Sequence, residues 1–275
     1  MKNSTITFIG GGNMASSLIG GLLDTGLSAE KIRFVDPDSQ ALAARFPVQH
    51  YTDNLPAING ANVVVLAVKP QILPEIAKSI ATAMPSKPPL FISIAAGIRM
   101  AELARWLGAD QKLALPIVRV MPNTPALVRS GASALFAGQH VNKLQQELAE
   151  NILRAVGLTL WVEEESQMDA VTALSGSGPA YFFLIMEVLE KAAIGLGLPQ
   201  KSARLLTLQT AFGAAKMALE SQEDAATLRA RVTSKGGTTE QAINILQAGG
   251  LQDLFDQALQ AAQQRAFNLA KQFGE

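Results

Sequence analysis

A glycine- and threonine-rich segment precedes an apolar helical pattern in the last part of the chain. It reads V-T-S-K-G-G-T-T-E-Q from Val232 to Gln241. Gly236 and Gly237 can adopt positive φ angles and let a ligand approach the main chain closely. Thr238 followed three residues later by Gln241 predicts a capping box, and a helix N-terminus with free N–H groups binds anions. The segment is therefore either an ordinary capped turn or a site for a small carboxylate.

A second glycine-rich segment, I-G-G-G-N-M-A, runs from Ile9 to Ala15. Gly10 and Gly12 fill the first two positions of the pattern G-x-G-x-x-G/A, and Ala15 fills the third. The segment follows a strand-like run and opens an amphipathic helix, which is the context in which this pattern binds a pyrophosphate. It predicts a dinucleotide-binding turn, with a plain glycine-rich loop as the alternative.

Asp36 ends the second predicted strand, at about the usual distance for an acid that accepts a hydrogen bond from a ribose 2′-OH. Such an acid repels a 2′-phosphate and would favour NAD over NADP. A turn or N-cap role within residues 36–39 is the alternative for Asp36. Since no arginine follows at once to accept a 2′-phosphate, the sequence leaves the choice of cofactor open.

Three further segments end later strands, at the edge where ligands bind in such sheets. A-V-K-P at Ala67–Pro70 includes Lys69, which faces either a phosphate or solvent. The small residues of Ala95–Gly97 would let the nicotinamide half of a cofactor approach. R-V-M-P-N-T-P at Arg119–Pro125 contains two prolines, and its polar side chains either contribute to a site or form a rigid turn.

Residues for strong acid–base or metal chemistry are scarce. The two histidines, His50 and His140, lie in polar surroundings typical of surface residues, and no metal-ligand cluster is visible in the sequence. Hydride transfer to an iminium needs no strong acid, because the substrate already carries its proton; it needs orientation and a carboxylate anchor. The threonine-rich segment could supply both. Reduction of a keto acid would need a proton donor, and Lys235 is more simply interpreted as an exposed loop charge.

Composition excludes several classes of function. The 275 residues have a formal net charge of zero, which argues against nucleic acid and anionic membrane surfaces as partners. There is no cysteine, which excludes disulfides and thiol catalysis. The N-terminus lacks a signal-peptide pattern, and charged residues follow the apolar run Ala180–Met186 at once. We therefore expect a cytoplasmic protein without a transmembrane span.

The texture of the sequence changes near residue 165. Before it, short β-branched runs alternate with helical stretches at spacings of about 25–30 residues, which predicts an α/β, Rossmann-like domain with a doubly wound, mostly parallel sheet. The predicted strands are Thr5–Ile9, Ile32–Val35, Val63–Val68, Leu90–Ile94, Ile117–Met121, Ser133–Phe136 and Thr159–Val162.

Only helices are predicted after that point, so we divide the chain into domains at residues 1–165 and 166–275. A long helix over Asp169–Leu198 should be kinked or broken at Ser175–Pro179. The last helix carries an apolar seam with 4-3-4-3-4 spacing, which packs either within the chain or against a second subunit. The seam consists of Phe255, Leu259, Ala262, Ala266, Leu269 and Phe273.

Five segments together resemble those of pyrroline-5-carboxylate reductases, over essentially the whole chain. The segments are F-I-G-G-G-N-M-A (8–15), A-V-K-P (67–70), R-V-M-P-N-T-P (119–125), L-S-G-S-G-P-A-Y (174–181) and V-T-S-K-G-G-T-T (232–239). The resemblance implies a Rossmann-like domain and an all-α C-terminal dimerisation domain, in dimers that often assemble into decamers. It also implies reduction of (S)-1-pyrroline-5-carboxylate to L-proline by NADPH or NADH.

The resemblance further implies the residues of the site. Ser234, Gly236, Gly237 and Thr238 match positions that hold the substrate carboxylate. Thr239 matches the hydroxyl that meets the ring nitrogen, and it is the expected catalytic residue. The acid at position 36 departs from the small polar residue common in the family, so the family's usual NADPH preference is in question. The positions that match cofactor contacts are Gly10, Gly11, Gly12, Asn13, Met14, Asp36, Asn54, Ala67, Val68, Lys69, Pro70, Ala95, Ala96 and Gly97.

Two other functions fit parts of the sequence. A dehydrogenase of the 3-hydroxyacid type shares the layout but should carry a catalytic lysine on the interdomain helix, and the residues around Ser175–Pro179 offer none. A non-catalytic NAD(P)-binding interaction protein would bind the cofactor but would not need an intact S-K-G-G-T-T segment.

Overall fold

An eight-stranded sheet is the centre of the N-terminal part of this computed structural model, which describes residues 3–37, 40–108 and 114–274. The strands are β1 (Ile6–Ile9), β2 (Ile32–Val35), β3 (Gln49–Tyr51), β4 (Val63–Leu66), β5 (Leu90–Ser93), β6 (Ile117–Met121), β7 (Gly131–Ala137) and β8 (Gly157–Trp161). Their order in the sheet is β3-β2-β1-β4-β5-β6-β7-β8. Neighbouring strands are parallel except for β6 and β7, which are antiparallel.

The mostly parallel, doubly wound sheet is confirmed, and each predicted strand is present with its ends shifted by at most two residues. The strand that sequence reasoning missed is β3, whose residues Gln-His-Tyr are partly or fully exposed at one edge of the sheet. Apolar periodicity is the main signal for a strand, and a short polar edge strand carries little of it.

Helices cover both faces of the sheet, which is why β1 is buried along its whole length. On one face Phe8 lies in a buried cluster with Leu18 and Leu22; on the other, Ile9 lies in a second cluster with Leu73. The helices of this part are α1 (Asn13–Asp24), α2 (Gln40–Arg45), α3 (Asn54–Ile58), α4 (Leu73–Ala81), α5 (Met100–Trp106), α6 (Lys143–Arg154) and α7 (Gln167–Val171).

The chain divides into two compact units. The first comprises Met1–Ser177 with Ala261–Glu275, and the second comprises Gly178–Gln260. The described residues of the second unit are helices and their connections. The helices are α8 (Gly178–Gly195), α9 (Gln200–Glu220), α10 (Ala225–Arg231), α11 (Thr238–Ala248) and the start of α12 (Leu251–Gly274). The sequence boundary at residue 165 stays a prediction.

The predicted interruption of the long helix is present. The turn at Thr172–Gly176 is a π-helix, and the N–H of Ser177 donates to the carbonyl of Thr172 at 2.9 Å. A Cβ on Gly176 would lie 2.4 Å from the Cε of Met121, so a side chain at this position would displace Met121. Pro179 stands in the first turn of α8, where its missing N–H has no intrahelical partner to lose.

The apolar seam of α12 packs within the chain over its last part. Ala266 is buried, and Phe273 packs against the buried cluster that contains Ile98. A Cβ on Gly97 would lie 3.3 Å from the Cβ of Leu269. For this end of the seam the structure therefore supports the intrachain alternative.

Helices of the second unit expose large apolar side chains. Phe182, Phe183 and Phe212 are each more than 60% exposed. In the described ranges, one helical stretch, Gln167–Gly195, is long and apolar enough to cross a membrane, judged by length and composition only. No span was expected from the sequence. A helix that another protein chain covers has the same composition, because exposed apolar patches of this size mark protein–protein contacts as well as membrane contacts.

Candidate active site

The glycine-rich turn within Ile9–Ala15, the fingerprint turn, packs closely against the neighbouring strands. Gly10 has a φ of +103°, and its N–H donates to the carbonyl of Val35 at 2.8 Å. A Cβ at this position would lie 2.6 Å from the carbonyl oxygen of Ala67. Both the φ angle and the contact require glycine, because an added methyl group would collide with main chain rather than with a movable side chain.

The start of α1 offers an anion site. Gly12 is the N-cap, and no side chain caps the helix. A Cβ on Gly12 would meet nothing within 4 Å, so a ligand has room directly over the main chain. The N–H groups of Asn13 and Met14 have no hydrogen-bond partner in the part of the chain that the structure describes. Unpaired N–H groups and the helix dipole favour a phosphate here, and these residues fit a dinucleotide.

Asp36 stabilises the fingerprint turn by accepting a hydrogen bond from the main chain of that turn. Its Oδ2 accepts a hydrogen bond from the N–H of Gly11 at 2.7 Å. Its carbonyl oxygen lies 3.0 Å from Nε2 of His50, and the His50 ring stacks on Phe34. The carboxylate is thus fixed at the end of β2, where the ribose of a dinucleotide lies in this type of fold. The alternative role within residues 36–39 involves residues 38 and 39, which lie outside the described ranges.

Parallel pairing brings the ends of several strands to one edge. Ile9 pairs with Val35 on one side and Leu66 on the other, and Leu66 pairs with Ser93. The residues that follow these strands therefore lie at the edge that holds the fingerprint turn. The predicted cofactor residues found there are Gly10, Gly11, Gly12, Asn13, Met14, Asp36, Ala67, Val68, Lys69, Pro70, Ala95, Ala96 and Gly97, with Asn54 at the start of α3 beyond β3.

Three polar residues considered in the sequence as candidates, Lys69, His50 and His140, have exposed side chains. Lys69 is exposed and forms no ion pair with a described residue, so its side chain is accessible both to solvent and to a ligand at this edge. Both His50 and His140 are exposed, as expected from their surroundings in the sequence. Within the described residues, no group of three or more His, Asp or Glu side chains could hold a metal ion.

The loop after β6 is fixed by its asparagine. Nδ2 of Asn123 donates to the carbonyl of Ser175 at 3.1 Å, and Oδ1 accepts from the N–H of Ala132 at 2.8 Å. Both ends of the side-chain amide are therefore bonded to the chain itself. This supports the rigid-turn interpretation of Arg119–Pro125 over a direct role in binding.

A partly buried ion pair supports the same region, and sequence reasoning missed it. Arg119 is only 5% exposed, and its Nη1 lies 2.9 Å from Oε1 of Glu165. The same oxygen accepts from the N–H of Met100 at 2.7 Å, so Glu165 also holds the first turn of α5. In the sequence Glu165 is one of three consecutive glutamates, and no local pattern distinguishes it from its solvated neighbours.

The segment Val232–Gln241, which is predicted to bind a carboxylate, forms a turn and a helix start in the second unit. Gly237 is the N-cap of α11, and Thr238 and Thr239 are its first two residues. The N–H of Gly237 donates to the carbonyl of Ser234 at 3.0 Å. No described residue accepts from the N–H of Thr238 or Thr239. These two N–H groups, with the adjacent hydroxyls, form a candidate site for a carboxylate.

The predicted capping box is wrong. Because Gly237, and not Thr238, is the N-cap, the box would need a side chain that glycine lacks, and no side chain caps α11. The acid at the third helical position, Glu240, reaches back instead, and its Oε2 accepts from the N–H of Gly236 at 2.8 Å. Sequence reasoning missed Glu240 because the pattern was placed one residue too late.

The helix that precedes this segment, α10, is stabilised by local contacts at its ends. Asp224 is the N-cap of α10, and its Oδ1 accepts from the N–H of Thr227 at 2.8 Å. That backbone hydrogen bond, with the Thr227 side chain, lowers the pKa of the Asp224 carboxyl. An ion pair between Arg231 and Glu223 joins the two ends of the helix. These contacts fix the end of α10, where the segment after Arg231 begins.

The sheet, the fingerprint turn and the all-helical second unit define a class, the Rossmann-type dinucleotide-binding oxidoreductases. Residues 5–97 match the sequence model of a family described as NADP oxidoreductase coenzyme F420-dependent. Residues 165–269 match that of a family described as pyrroline-5-carboxylate reductase dimerisation. The second match supports oligomerisation through the helical part of the chain.

Relatives narrow the class to one family. The chain is 50% identical to the pyrroline-5-carboxylate reductase of Pseudomonas aeruginosa over 278 residues, covering 100% of both chains. It is 44% identical to that of Haemophilus influenzae, covering 97% of each. The solved structure of such a reductase from Coxiella burnetii is similar with a TM-score of 0.92, at 47% identity over 97% of this chain and 98% of that one. A Plasmodium falciparum pyrroline carboxylate reductase with NADP bound gives a TM-score of 0.85, at 28% identity over 98% of this chain and 99% of that one. The chain belongs to the pyrroline-5-carboxylate reductase family.

Proposed function

We propose that this protein reduces (S)-1-pyrroline-5-carboxylate to L-proline with NADPH or NADH, the last step of proline biosynthesis. The observation that carries the proposal is the 50% identity, over 100% of both chains, to a reductase of that name. The geometry of the glycine-rich turns supports it independently, because each offers unpaired N–H groups at a helix start, and the reaction needs one site for a phosphate and one for a carboxylate.

The cofactor site is assigned to the edge of the sheet that carries the fingerprint. The N–H groups of Asn13 and Met14 would hold the pyrophosphate, and Asp36 would meet the adenosine ribose. Ala67–Pro70 and Ala95–Gly97 would line the path toward the nicotinamide. When bound, the cofactor supplies the hydride. Asp36, whose carboxylate would oppose a 2′-phosphate, is the residue that bears on the choice between NADPH and NADH.

The substrate site is assigned to the turn at the start of α11. Ser234, Gly236, Gly237 and Thr238 would form the cradle for the carboxylate. Gly236 contributes its left-handed backbone rather than its N–H, because Glu240 already accepts from that N–H. The donors available to the substrate carboxylate include the main-chain N–H groups at the helix start, which the helix dipole favours, and the nearby hydroxyls.

The reaction asks little acid–base chemistry of the protein. The carbon of the ring C=N bond accepts a hydride, and the π-electron pair of that bond passes to nitrogen. When the ring nitrogen is already protonated, as an iminium, the product is the neutral secondary amine; when it is a neutral imine, one proton must be added to nitrogen. Thr239 would hydrogen-bond the ring nitrogen and relay a proton from water where one is required. The turn, residues 232–241, contains no histidine, and the role given to Thr239 does not need one.

The helical unit is assigned to a homodimer, which could assemble further into a decamer. Support comes from the match of residues 165–269 to a dimerisation family and from the exposed phenylalanines of α8 and α9. Burial of these side chains against a second copy would account for the apolar stretch Gln167–Gly195 without a membrane. We assign the protein to the cytoplasm, in keeping with its similarity to bacterial reductases of proline biosynthesis.

One assay tests the proposal. Purified protein is mixed with NADPH or NADH, and loss of absorbance by the reduced nicotinamide is followed with and without pyrroline-5-carboxylate. We expect substrate-dependent loss and formation of proline. Oxidation that depends instead on a 3-hydroxyacid in the reverse direction would favour the dehydrogenase alternative. Tight NADPH binding with no turnover of either substrate would favour a non-catalytic binding protein.

A further inference from the structure

Glu240 is the acid that the described contacts single out in the threonine-rich turn. It is the third residue of α11, it is half-buried, and its Oε2 lies 2.8 Å from the N of Gly236, four residues earlier. Gly236 has a φ of +74°, a conformation in which glycine is strongly preferred. The hydrogen bond therefore fixes the least restrained residue of the turn.

The contact also decides which donors remain for a ligand. Gly236 donates to Glu240, and Gly237 donates to the carbonyl of Ser234 at 3.0 Å. These two N–H groups are committed within the turn itself. The next two along the chain, those of Thr238 and Thr239, have no partner among the described residues. The turn is thus shaped before any substrate binds. Its open donors are the N–H groups of Ser234 and Lys235 before the bend and those at the first helical positions of α11 after it, where the helix dipole adds to the attraction for an anion.

Charge gives Glu240 a second effect. An acidic side chain near a helix N-terminus is stabilised by the helix dipole, and so is an anionic ligand. Both would be drawn to the same few N–H groups. A carboxylate held on Gly236 would repel a second carboxylate bound nearby, although solvent screens that repulsion.

We propose that Glu240 is a positioning residue for substrate binding: its carboxylate holds the Gly236 N–H and so directs the substrate carboxylate to the N–H groups of Thr238 and Thr239. The inference rests on the proposed function for the identity of the anion. It does not make Glu240 a catalytic residue, because the acid acts through the shape of the turn.

Two substitutions separate the hydrogen bond from the charge. Glu240→Gln keeps an acceptor oxygen and removes the charge, whereas Glu240→Ala removes both. We expect Glu240→Ala to raise the KM for pyrroline-5-carboxylate about fivefold relative to Glu240→Gln, the scale of one net hydrogen bond. The kcat and the KM for NADPH should change by less than about twofold in both variants, since the bond acts on the substrate turn alone. Gln241→Ala, which alters the exposed neighbour, is the control.

Hydrogen exchange provides a readout that does not depend on turnover. The amide of Gly236, followed in a peptide spanning residues 232–240, should exchange about fivefold faster in Glu240→Ala than in wild type, and near the wild-type rate in Glu240→Gln. Equal exchange in all three proteins would overturn the proposal. Faster exchange with an unchanged substrate KM would also overturn it, because Glu240 would then be a structural cap only. If wild type itself does not turn over pyrroline-5-carboxylate, the proposed function fails, and the exchange result still shows whether Glu240 shapes the turn.

Discussion

Two glycine-rich turns in this chain are built on one plan and held in different ways. Each precedes a helix whose N-cap is a glycine without a side-chain cap, Gly12 for α1 and Gly237 for α11. In each, a carboxylate accepts from a glycine N–H: Asp36 from Gly11 at 2.7 Å, and Glu240 from Gly236 at 2.8 Å. Both turns therefore leave the first N–H groups of a helix open to an anion.

The difference lies in where the supporting groups come from. Asp36 is 25 residues from Gly11 and sits on the neighbouring strand, and Gly10 is wedged against the main chain of Ala67. Glu240 is four residues from its partner, and a Cβ on Gly236 would meet nothing within 4 Å. The first turn is stabilised by contacts with the sheet, whereas the second is stabilised by a hydrogen bond between its own residues. Substitutions in the first turn should therefore lower the stability of the fold, and substitutions in the second should mainly weaken ligand binding.

The largest expected effect is that of Gly10→Ala. The new methyl group would lie 2.6 Å from a backbone oxygen at a φ of +103°, so we expect a loss of about 3 kcal/mol in the free energy of unfolding. A thermal melt should show the midpoint fall by roughly 5–10 °C, with NADPH binding lost as well.

The matched control is Gly12→Ala, in the same turn. Its methyl group would meet nothing within 4 Å, so stability should stay within about 1 kcal/mol of wild type. NADPH binding should still weaken, because the methyl group occupies the space over the main chain. Equal melting temperatures for the two variants would show that the sheet does not hold this turn.

Thr239→Ala tests the catalytic half of the second turn. Loss of one polar partner of the reacting nitrogen should cost about 1–3 kcal/mol of transition-state stabilisation, or roughly 5- to 150-fold in kcat/KM. Steady-state kinetics with pyrroline-5-carboxylate measure it. Thr239→Ser keeps the hydroxyl and should retain most of the activity. Wild-type kcat/KM in the alanine variant would remove Thr239 from the mechanism.

The fold was more accessible from the sequence than the contacts that hold the turns. β1 and β4 are buried on both faces and consist almost entirely of apolar residues, and they were found because burial imposes a strong pattern. β3 was missed because an exposed edge has no such pattern. The hydrogen bonds that carboxylates make to the two turns were not predicted, for a different reason. Asp36 was singled out for a ribose, but its bond to Gly11 depends on strand register, which a local motif does not encode.

Glu240 shows how a one-residue error in a helix boundary hides a function. With the N-cap placed at Thr238, the expected back-bonding residue is Gln241; with the N-cap at Gly237, it is Glu240. Helix ends are the least certain part of any pattern-based assignment, because glycine, serine and threonine all serve as N-caps. The anion site itself was found, because two glycines followed by two threonines mark a helix start in either register.

Asp36→Asn should change cofactor preference while keeping the turn closed. The amide oxygen can still accept from the N–H of Gly11, but the charge that opposes a 2′-phosphate is gone. We expect the ratio of kcat/KM for NADPH to that for NADH to rise about tenfold, which corresponds to about 1.4 kcal/mol. Binding of 2′,5′-ADP compared with 5′-AMP measures the same effect without turnover. An unchanged ratio in both assays would mean that Asp36 serves the turn alone.

The smallest effect on stability should come from Gly237→Ala, the counterpart of Gly10→Ala in the second turn. Here the added Cβ would collide with the Oγ of Ser234, an exposed side chain that can rotate away, and would lie 3.0 Å from the carbonyl oxygen of Ser234, a tight contact that a small shift of the turn relieves. The free energy of unfolding should therefore change by less than about 1 kcal/mol, because a movable side chain relieves the contact. The displaced hydroxyl should nevertheless raise the KM for pyrroline-5-carboxylate about fivefold, with the KM for NADPH unaffected. Melting curves and steady-state kinetics on the same preparation decide the matter. A fall in melting temperature as large as that of Gly10→Ala would mean that the second turn is held by the surrounding fold as firmly as the first, and the contrast between the two turns would not stand.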